Sequence, residues 1–549
     1  MTAMKKVAIF LPSVLSALLL WAAFPPLGET ANVAFALVPL LVVARLCSPK
    51  RSALLWFAGG FLFWFGTLSW MPAIIKNNGP WPLVVLGWAG LAAACAGYFA
   101  LYGWMAARVW RRWGRWGILA EPVLWAGCEW MRATLFTGFA WNFLGTAVGQ
   151  VPSLATPARL GGVYLVSALV VLLNGVFATL ACRVMAGMAG SSRGAGSSRG
   201  AGSARGAGTA ETTGTAGTGN GGKWRRQLIR SAETAVPLAA ILLVFWLSQL
   251  GNSQLSTSNS RLLRVALVQR NAPCIFSAGR QRENPYEAYG QLLEVAAVAR
   301  PDLVVWGESG MAEFGRVDGE RARLAAAHFS EMLGGAALLA GGDWVEDGRY
   351  HNAAALYSGT NAVQLYAKQH LVPFGEYIPF DKWIPALQKL SPIGVSLWPG
   401  EAKVFRLKDF ALAPIICYED TDPTLSRAAA RLGAQAIVLI TNDSWFSLSN
   451  EAVQHASQAV LRAIETGLPV IRVGNSGVTG VIDGTGRARW LSDGDGNTLV
   501  DAPGTMVETV QVSASPVLTP YSRVGDWPLL ALFAIALPFV FVITRKEIP

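Results

Sequence analysis

Three residues in the second half of the chain combine reactive side chains with positions that would let them act. Glu308 follows the apolar run Val304-Val305-Trp306-Gly307, and a carboxylate directly behind a buried strand is costly unless it has a partner or a proton to move. Lys368 follows Tyr366-Ala367 and opens a loop rich in Pro and Gly. Cys417 ends the run Ala413-Pro414-Ile415-Ile416 and is followed by Tyr418-Glu419, the place where a sheet presents a nucleophile to a ligand. Taken singly, each has an ordinary explanation: a cap or salt-bridge carboxylate, a solvated amine, a packing thiol. As an ordered set they supply a base, a cation and a sulfur nucleophile. Thioester chemistry needs all three, because the thiolate is the attacking species and a free thiol with pKa about 8.5 is mostly protonated at neutral pH.

The elements around these residues fit that use. Apolar, β-rich runs occur at Val265–Gln269, Leu303–Trp306, Ala336–Gly341, Ala353–Tyr357, Phe410–Ile416, Ala436–Thr441, Pro469–Val473 and Gly477–Ile482. Helical patterns lie between several of them, at 284–299, 318–333 and 451–467. Strands alternating with helices predict an α/β domain, and nearly all-apolar strands predict sheets covered by other layers.

The first half has a different solvent. The chain of 549 residues is 52% hydrophobic and only 14% charged, with mean hydropathy +0.38, whereas soluble domains carry about 25% charge. Apolar stretches near the length of a membrane span occur at 7–24, 31–47, 53–74, 82–107, 117–132, 160–182, 232–250 and 527–544, eight in all. The first is expected to be retained, since Phe24-Pro25-Pro26 stands where a small-residue cleavage site would be needed. The net charge of +11 does not point to nucleic acid, because the basic residues fall between the spans. With the N-terminus in the cytoplasm, Lys50 and Arg51, then Arg108 to Arg115, then the stretch 183–230, and finally Arg545 and Lys546 all lie on the cytoplasmic side. Lys76 and Arg159 are exceptions on the other side. The same pattern puts 251–526 outside the cytoplasm. Three divisions follow: 1–250 with seven spans, 251–526 as the α/β domain, and 527–549 with the last span and tail. Residues 186–223 are low complexity, with SSRGAG at 191–196 and again at 197–202, and predict a flexible cytoplasmic loop. Of six cysteines, four fall in or beside apolar segments, where a thiol is a small core residue. Cys274 and Cys417 are the two in the α/β segment, and no Cys/His cluster suggests a metal.

The Glu308–Lys368–Cys417 order resembles the triad of the nitrilase superfamily. Lys368–Pro379, reading KQHLVPFGEYIP, resembles the apolipoprotein N-acyltransferase branch specifically, as do Thr441-Asn442-Asp443-Ser444-Trp445-Phe446 and Gln454-His455 with Arg462 and Glu465. In the membrane part Phe24-Pro25-Pro26, Glu129-Trp130-Met131-Arg132, Gly138-Phe139-Ala140-Trp141-Asn142 and Tyr521–Asp526 are similar to that family too. The chain departs from the family pattern at Gly307 and Ala140, where Pro is usual, at Arg270-Asn271-Ala272 and at Ser447. None of these removes a triad residue.

The resemblance implies a nitrilase-like αββα sandwich inserted in a polytopic α-helical membrane domain of eight transmembrane helices. It implies acyl transfer from a phospholipid, at the sn-1 position of phosphatidylethanolamine, to the N-terminal amine of an S-diacylglyceryl-cysteine apolipoprotein. Glu308 would be the general base, Lys368 the cation at thiolate and oxyanion, and the Tyr418 N–H a second oxyanion donor. Glu376 and Glu419 would support them. Trp445, Phe446, Trp141 and Asn142 are substrate-binding candidates, with packing as their ordinary alternative. No metal or organic cofactor is implied, nucleic acid is not a partner, and a monomer in the bacterial inner membrane with a periplasmic catalytic domain is expected. A membrane-tethered amidase and a non-catalytic scaffold are the competing readings. The shared membrane motifs argue against the first and the retained triad against the second. A transporter would need more ionisable residues within the spans than Glu121, Glu129 and Arg132.

Overall fold

The computed structural model describes residues 9–77, 79–197, 219–250, 259–273, 284–359, 362–381, 383–390, 394–446 and 449–541. Most of the 186–223 insert, Cys274, Ser447 and the terminal lysines and arginines therefore lie outside the described residues.

The first half is helical: α1 (Leu11–Ala23), α2 (Val38–Leu46), α3 (Pro49–Thr67), α4 (Trp81–Trp113), α5 (Glu121–Thr134), α6 (Ala158–Ser197) and α7 (Gly219–Leu250), with α12 (Trp527–Phe541) returning at the end. Three stretches, Pro49–Asn77, Trp81–Leu119 and Ala158–Ala186, are long and apolar enough to cross a membrane, and Leu11–Ala23, Thr30–Leu46, Thr234–Gln249 and Trp527–Phe541 are shorter apolar helices. The remaining expected span, 117–132, falls on α5, which buries Glu121, Glu129 and Arg132. Such charges are tolerated away from water only when paired: Glu121 meets Arg45 at 3.2 Å, and Arg132 donates to the carbonyls of Phe139 and Trp141. Near its start α6 is kinked at Gly161 and Gly162. Gly162 has φ +67°, and a Cβ there would lie 2.6 Å from the Tyr521 ring, so both backbone and packing demand glycine.

One end of the helices gathers the basic residues. Arg111 donates to the Cys47 carbonyl and Arg108 to that of Val540, which brings the ends of α2, α4 and α12 together. The other end, with Pro25, Trp70 and Trp141, meets the α/β layers.

Those layers are two six-stranded sheets. The first is ordered β12-β1-β2-β3-β4-β5 and the second β11-β10-β9-β8-β7-β6. The first uses β1 (Ser260–Gln269), β2 (Leu303–Trp306), β3 (Ala337–Glu346), β4 (Arg349–Tyr357), β5 (Gln364–Ala367) and β12 (Gly504–Ser513). The second uses β6 (Phe405–Leu407), β7 (Phe410–Ile416), β8 (Ala436–Thr441), β9 (Val470–Gly474), β10 (Gly480–Ile482) and β11 (Ala488–Trp490). Leu267, Val305 and Leu339 from one sheet pack against Leu412, Ile440 and Val473 from the other, all fully buried. Each such side chain contributes about 1.5–3 kcal/mol of transfer free energy. The outer face of the first sheet is covered by α8 (Pro285–Ala299) and α9 (Glu320–Met332). That of the second packs on α10 (Pro423–Arg431) and α11 (Glu451–Thr466), and its core runs without a break into the membrane helices. The expected αββα layering is present, and one helical layer is the seat on the membrane half. This is why β7 and β8 are apolar on both faces. The expected helices at 284–299, 318–333 and 451–467 form with ends trimmed by one or two residues.

Candidate active site

Glu308, Lys368 and Cys417 come together where the two sheets open at the ends of β2, β5 and β7. Glu308 is the second residue beyond β2, and its N–H donates to the Thr441 carbonyl across the seam (3.1 Å). Gly307 permits this crossing: a Cβ there would stand 2.2 Å from the Asn475 nitrogen. Lys368 follows β5, and its N–H extends the ladder to the Asn352 carbonyl (2.8 Å). Cys417 directly follows β7 with φ +53°, a left-handed conformation that costs a non-glycine residue about 1–3 kcal/mol and persists only where surroundings enforce it. It begins the single turn Cys417–Thr421 and carries no disulfide.

The charges form a compact group. Lys368 Nζ lies 2.8 Å from Glu376 Oε1 and 3.9 Å from Glu308 Oε1, with the lysine side chain 1% exposed. Asn352, on β4, donates to Glu308 Oε1 (2.6 Å) and Glu376 Oε1 (2.8 Å), and the Val372 N–H holds Glu376 Oε2. Burial raises Glu308 above the usual carboxylate range, with Glu376 adding to the rise and Lys368, Asn352 and the Cys417 thiol opposing it. Burial disfavours the Lys368 ammonium, but Glu376, Cys417 and Glu308 outweigh it and the amine is held above its ordinary value. Burial and Glu308 push the Cys417 thiol well up, against Lys368 and a hydrogen bond from Thr441. The resting state is thus a protonated thiol beside a carboxylate of raised basicity and a fixed cation.

Glu419 ties the segments together. Fully buried, it accepts from the Ile416 N–H (2.7 Å), the Gln369 and His370 N–H groups (2.5 and 3.1 Å) and the Tyr366 hydroxyl (2.8 Å). One carboxylate thereby joins the chain before Cys417 to the chain after Lys368. Burial raises its pKa against these donors. Tyr418 stacks on Trp141 (centroids 6.4 Å, 9° between planes).

The remaining candidates lie at the seat. Trp141 and Asn142 are buried and both donate to Gln454 Oε1 (3.0 and 3.3 Å). Trp445 accepts at its carbonyl from Asn77, and Phe446 meets Trp70 edge-on (4.8 Å). Beneath them a small, partly open pocket among the membrane helices is lined by Phe63, Trp64, Trp125, Arg132 and Asn142 among others.

Three features escaped sequence reasoning. Asn352 lies one residue before the apolar run that marked its strand, so the only signal was a polar residue at a strand margin. Thr441, beside the thiol, reads as an ordinary strand end. The third is a buried ion cluster behind the nucleophile. His455 bridges Asp443 (Nδ1, 2.9 Å) and Asp420 (Nε2, 2.9 Å), and Arg472 reaches the same two carboxylates at 3.2 and 3.1 Å. Burial opposes a charged ring, yet Asp420 and Asp443 outweigh burial and Arg472 and lift His455 to about 10. Burial, then Asp443, pushes Glu451 well above the carboxylate range. Asp443, Glu451 and His455 are close enough to share a cation, but His455 and the Arg472 guanidinium already supply the positive charge.

Two family profiles match separate parts of the chain. Residues 16–176 match the family profile of the apolipoprotein N-acyltransferase N-terminal domain, and residues 288–516 that of carbon-nitrogen hydrolases. An apolipoprotein N-acyltransferase of Geobacter metallireducens is 30% identical over 88% of this chain and 87% of its own length, and one of Allorhizobium ampelinum is 29% identical over 93% and 91%. Among solved structures, the amidase of Nesterenkonia sp. AN1 aligns over 49% of this chain and 98% of its own, at 18% identity and TM-score 0.35. With the membrane half and the sulfur-bearing α/β half both matched, and similarity running nearly end to end, the chain belongs to the apolipoprotein N-acyltransferase family.

Proposed function

We propose that this family member moves an acyl chain from the sn-1 position of a phospholipid, chiefly phosphatidylethanolamine, through a Cys417 thioester to the N-terminal amine of an S-diacylglyceryl-cysteine apolipoprotein. The observation that carries the reading is Cys417 flanked by Glu308 and Lys368 in layers seated directly on membrane helices. Glu308 takes the thiol proton as the sulfur attacks the ester carbonyl. The Lys368 ammonium and the Tyr418 N–H stabilise the oxyanion, each such donor being worth about 3 kcal/mol in the barrier. Collapse breaks the ester C–O bond, and the proton on Glu308 passes to the departing lysophospholipid oxygen. The acceptor amine then attacks the thioester, Glu308 takes its proton, and the thiolate leaves, giving the amide, after which the proton on Glu308 returns to the Cys417 sulfur. The two half-reactions share one site, so the kinetics are ping-pong. Neither step as written calls for a metal or organic cofactor.

Glu376 and Glu419 support the site by holding Lys368 and the flanks of Cys417. Trp445 and Phe446, half-buried at the edge of the seat, grip acyl chains, and Asn142 and Trp141 shape the wall of the membrane-side approach. Eight spans carry the domain as a monomer in a bacterial inner membrane, with both termini cytoplasmic and 251–526 periplasmic. The gathered arginine-bearing helix ends support that sidedness.

The test uses phosphatidylethanolamine with different chains at sn-1 and sn-2 and a diacylglyceryl-cysteine peptide. The peptide is expected to gain the sn-1 chain as an amide, and Cys417→Ala to transfer nothing. Release of that chain as free fatty acid with the peptide unmodified would mean a hydrolase, and no turnover of any phospholipid would mean a scaffold.

A further inference from the structure

Helix α11 carries two adjacent polar residues that none of the steps above uses. Gln454 faces the membrane helices. Its Oε1 accepts from Trp70 (3.3 Å), Trp141 (3.0 Å) and Asn142 (3.3 Å), and its Nε2 donates to the carbonyls of Pro25 and Thr67, both at 3.2 Å. One amide therefore touches three separate segments of the membrane half. His455, one residue on and so about 100° around the helix, faces the catalytic layers. Its ring spans from Asp443 to Asp420. Asp420 lies in the turn that begins with Cys417. Asp443 follows β8 and accepts from Thr441 (2.9 Å), whose side chain also meets the Cys417 thiol.

Two further contacts point the same way. Trp141 donates to Gln454, packs on His455 (5.6 Å) and stacks on Tyr418, so a single indole touches both arms and the residue after the nucleophile. Arg462, two turns along α11, donates to the carbonyls of Asp420 and Thr421 (3.2 and 3.1 Å). Stability is a weak reason for such a network. Buried ion pairs seldom outperform well-packed apolar residues of the same volume, and fixing one arrangement among several is their best-attested use. Cys417, in its left-handed conformation, is a residue that needs its arrangement enforced.

We infer that His455 is a positioning residue for Cys417, holding the turn after the nucleophile and the turn after β8 in one register, and that Gln454 makes this register depend on the seating of the membrane helices. The inference rests on the reading of Cys417 as the residue that is acylated.

The test is single-turnover thioester formation by the full chain in phosphatidylethanolamine mixed micelles, comparing wild type, His455→Gln and Gln454→Met. Cys417 alkylation by iodoacetamide is followed in parallel, because it reads the thiol without a lipid substrate. For His455→Gln, acylation is expected to slow about 100-fold, the cost of a displacement on the order of 1 Å, with the apparent KM for phospholipid within about twofold of wild type. Alkylation should slow alongside it. Gln454→Met, which leaves the His455 ion pairs intact, should show the same split about 10-fold deep. A folded His455→Gln that acylates at the wild-type rate overturns the proposal, as does a variant whose KM rises while its single-turnover rate holds. If His455→Gln does not fold, Gln454→Met decides, and its acylating at the wild-type rate overturns the proposal. A wild-type chain that forms no thioester is a different failure, that of the reading of Cys417 itself.

Discussion

A buried ammonium 2.8 Å from one carboxylate and 3.9 Å from another sets the electrostatics around Cys417. Replacing Lys368 by Met leaves the oxyanion with one donor fewer, and thioester formation is expected to fall about 10²–10³-fold, measured by quenching single turnovers. Glu308, the proton acceptor in the proposed mechanism, has its pKa raised, mainly by burial. The rate must therefore fall with acidification at a higher pH than an ordinary carboxylate near about 4.3 would give. Asn352 donates to this carboxylate and favours its ionised form. Asn352→Ala should move that acid limb to still higher pH in a pH–rate profile, while leaving the alkaline side in place. The triad itself was legible because each member terminates an apolar run. Asn352 was not, because its role lies in two side chains that reach it from distant points in the chain.

Among the elements, the strand ends decide how near the two sheets can approach. Gly307 stands where the related family usually has Pro, and its missing Cβ leaves room for the Asn475 backbone. Gly307→Ala is expected to part β2 from the end of β9, lower the thermal midpoint and slow acylation together, since Glu308 hangs from the same turn. Helix α11 makes a separate prediction. His455 is held up to about 10 in the folded chain, against about 6.5 unfolded. The stability it contributes is complete below the unfolded value and is lost as pH rises toward the folded one. Thermal midpoints in detergent should accordingly decline between pH 7 and 10, and the decline should shrink in His455→Gln. The central strands were readable from their apolar runs. β5, β6 and β11 were not, being short and each carrying a polar residue, Gln364, Arg406 and Arg489. β12 was missed because, as an edge strand, it mixes exposed polar with buried apolar positions.

For the whole molecule, the continuous core between the second sheet and the membrane helices means that catalytic layers and membrane half form one packed body. The basic helix ends lie opposite that seat. In intact spheroplasts an impermeant maleimide should label Val298→Cys, on an exposed face of α8, and spare Arg112→Cys until the membrane is opened. Labelling in the reverse order would invert the orientation. Composition and basic loops made the membrane half legible, but the seat was hidden, since Gln454, Trp141 and His455 acquire partners only through tertiary packing. The most direct measurement is peptide mass spectrometry of the full chain after incubation with phosphatidylethanolamine, with Cys417→Ala beside it. The prediction is an acyl adduct on the Cys417 peptide, absent from the variant and discharged by a diacylglyceryl-cysteine peptide as the matching amide. An adduct on another residue, or one that leaves equally fast in water without acceptor, would contradict acyl transfer through Cys417.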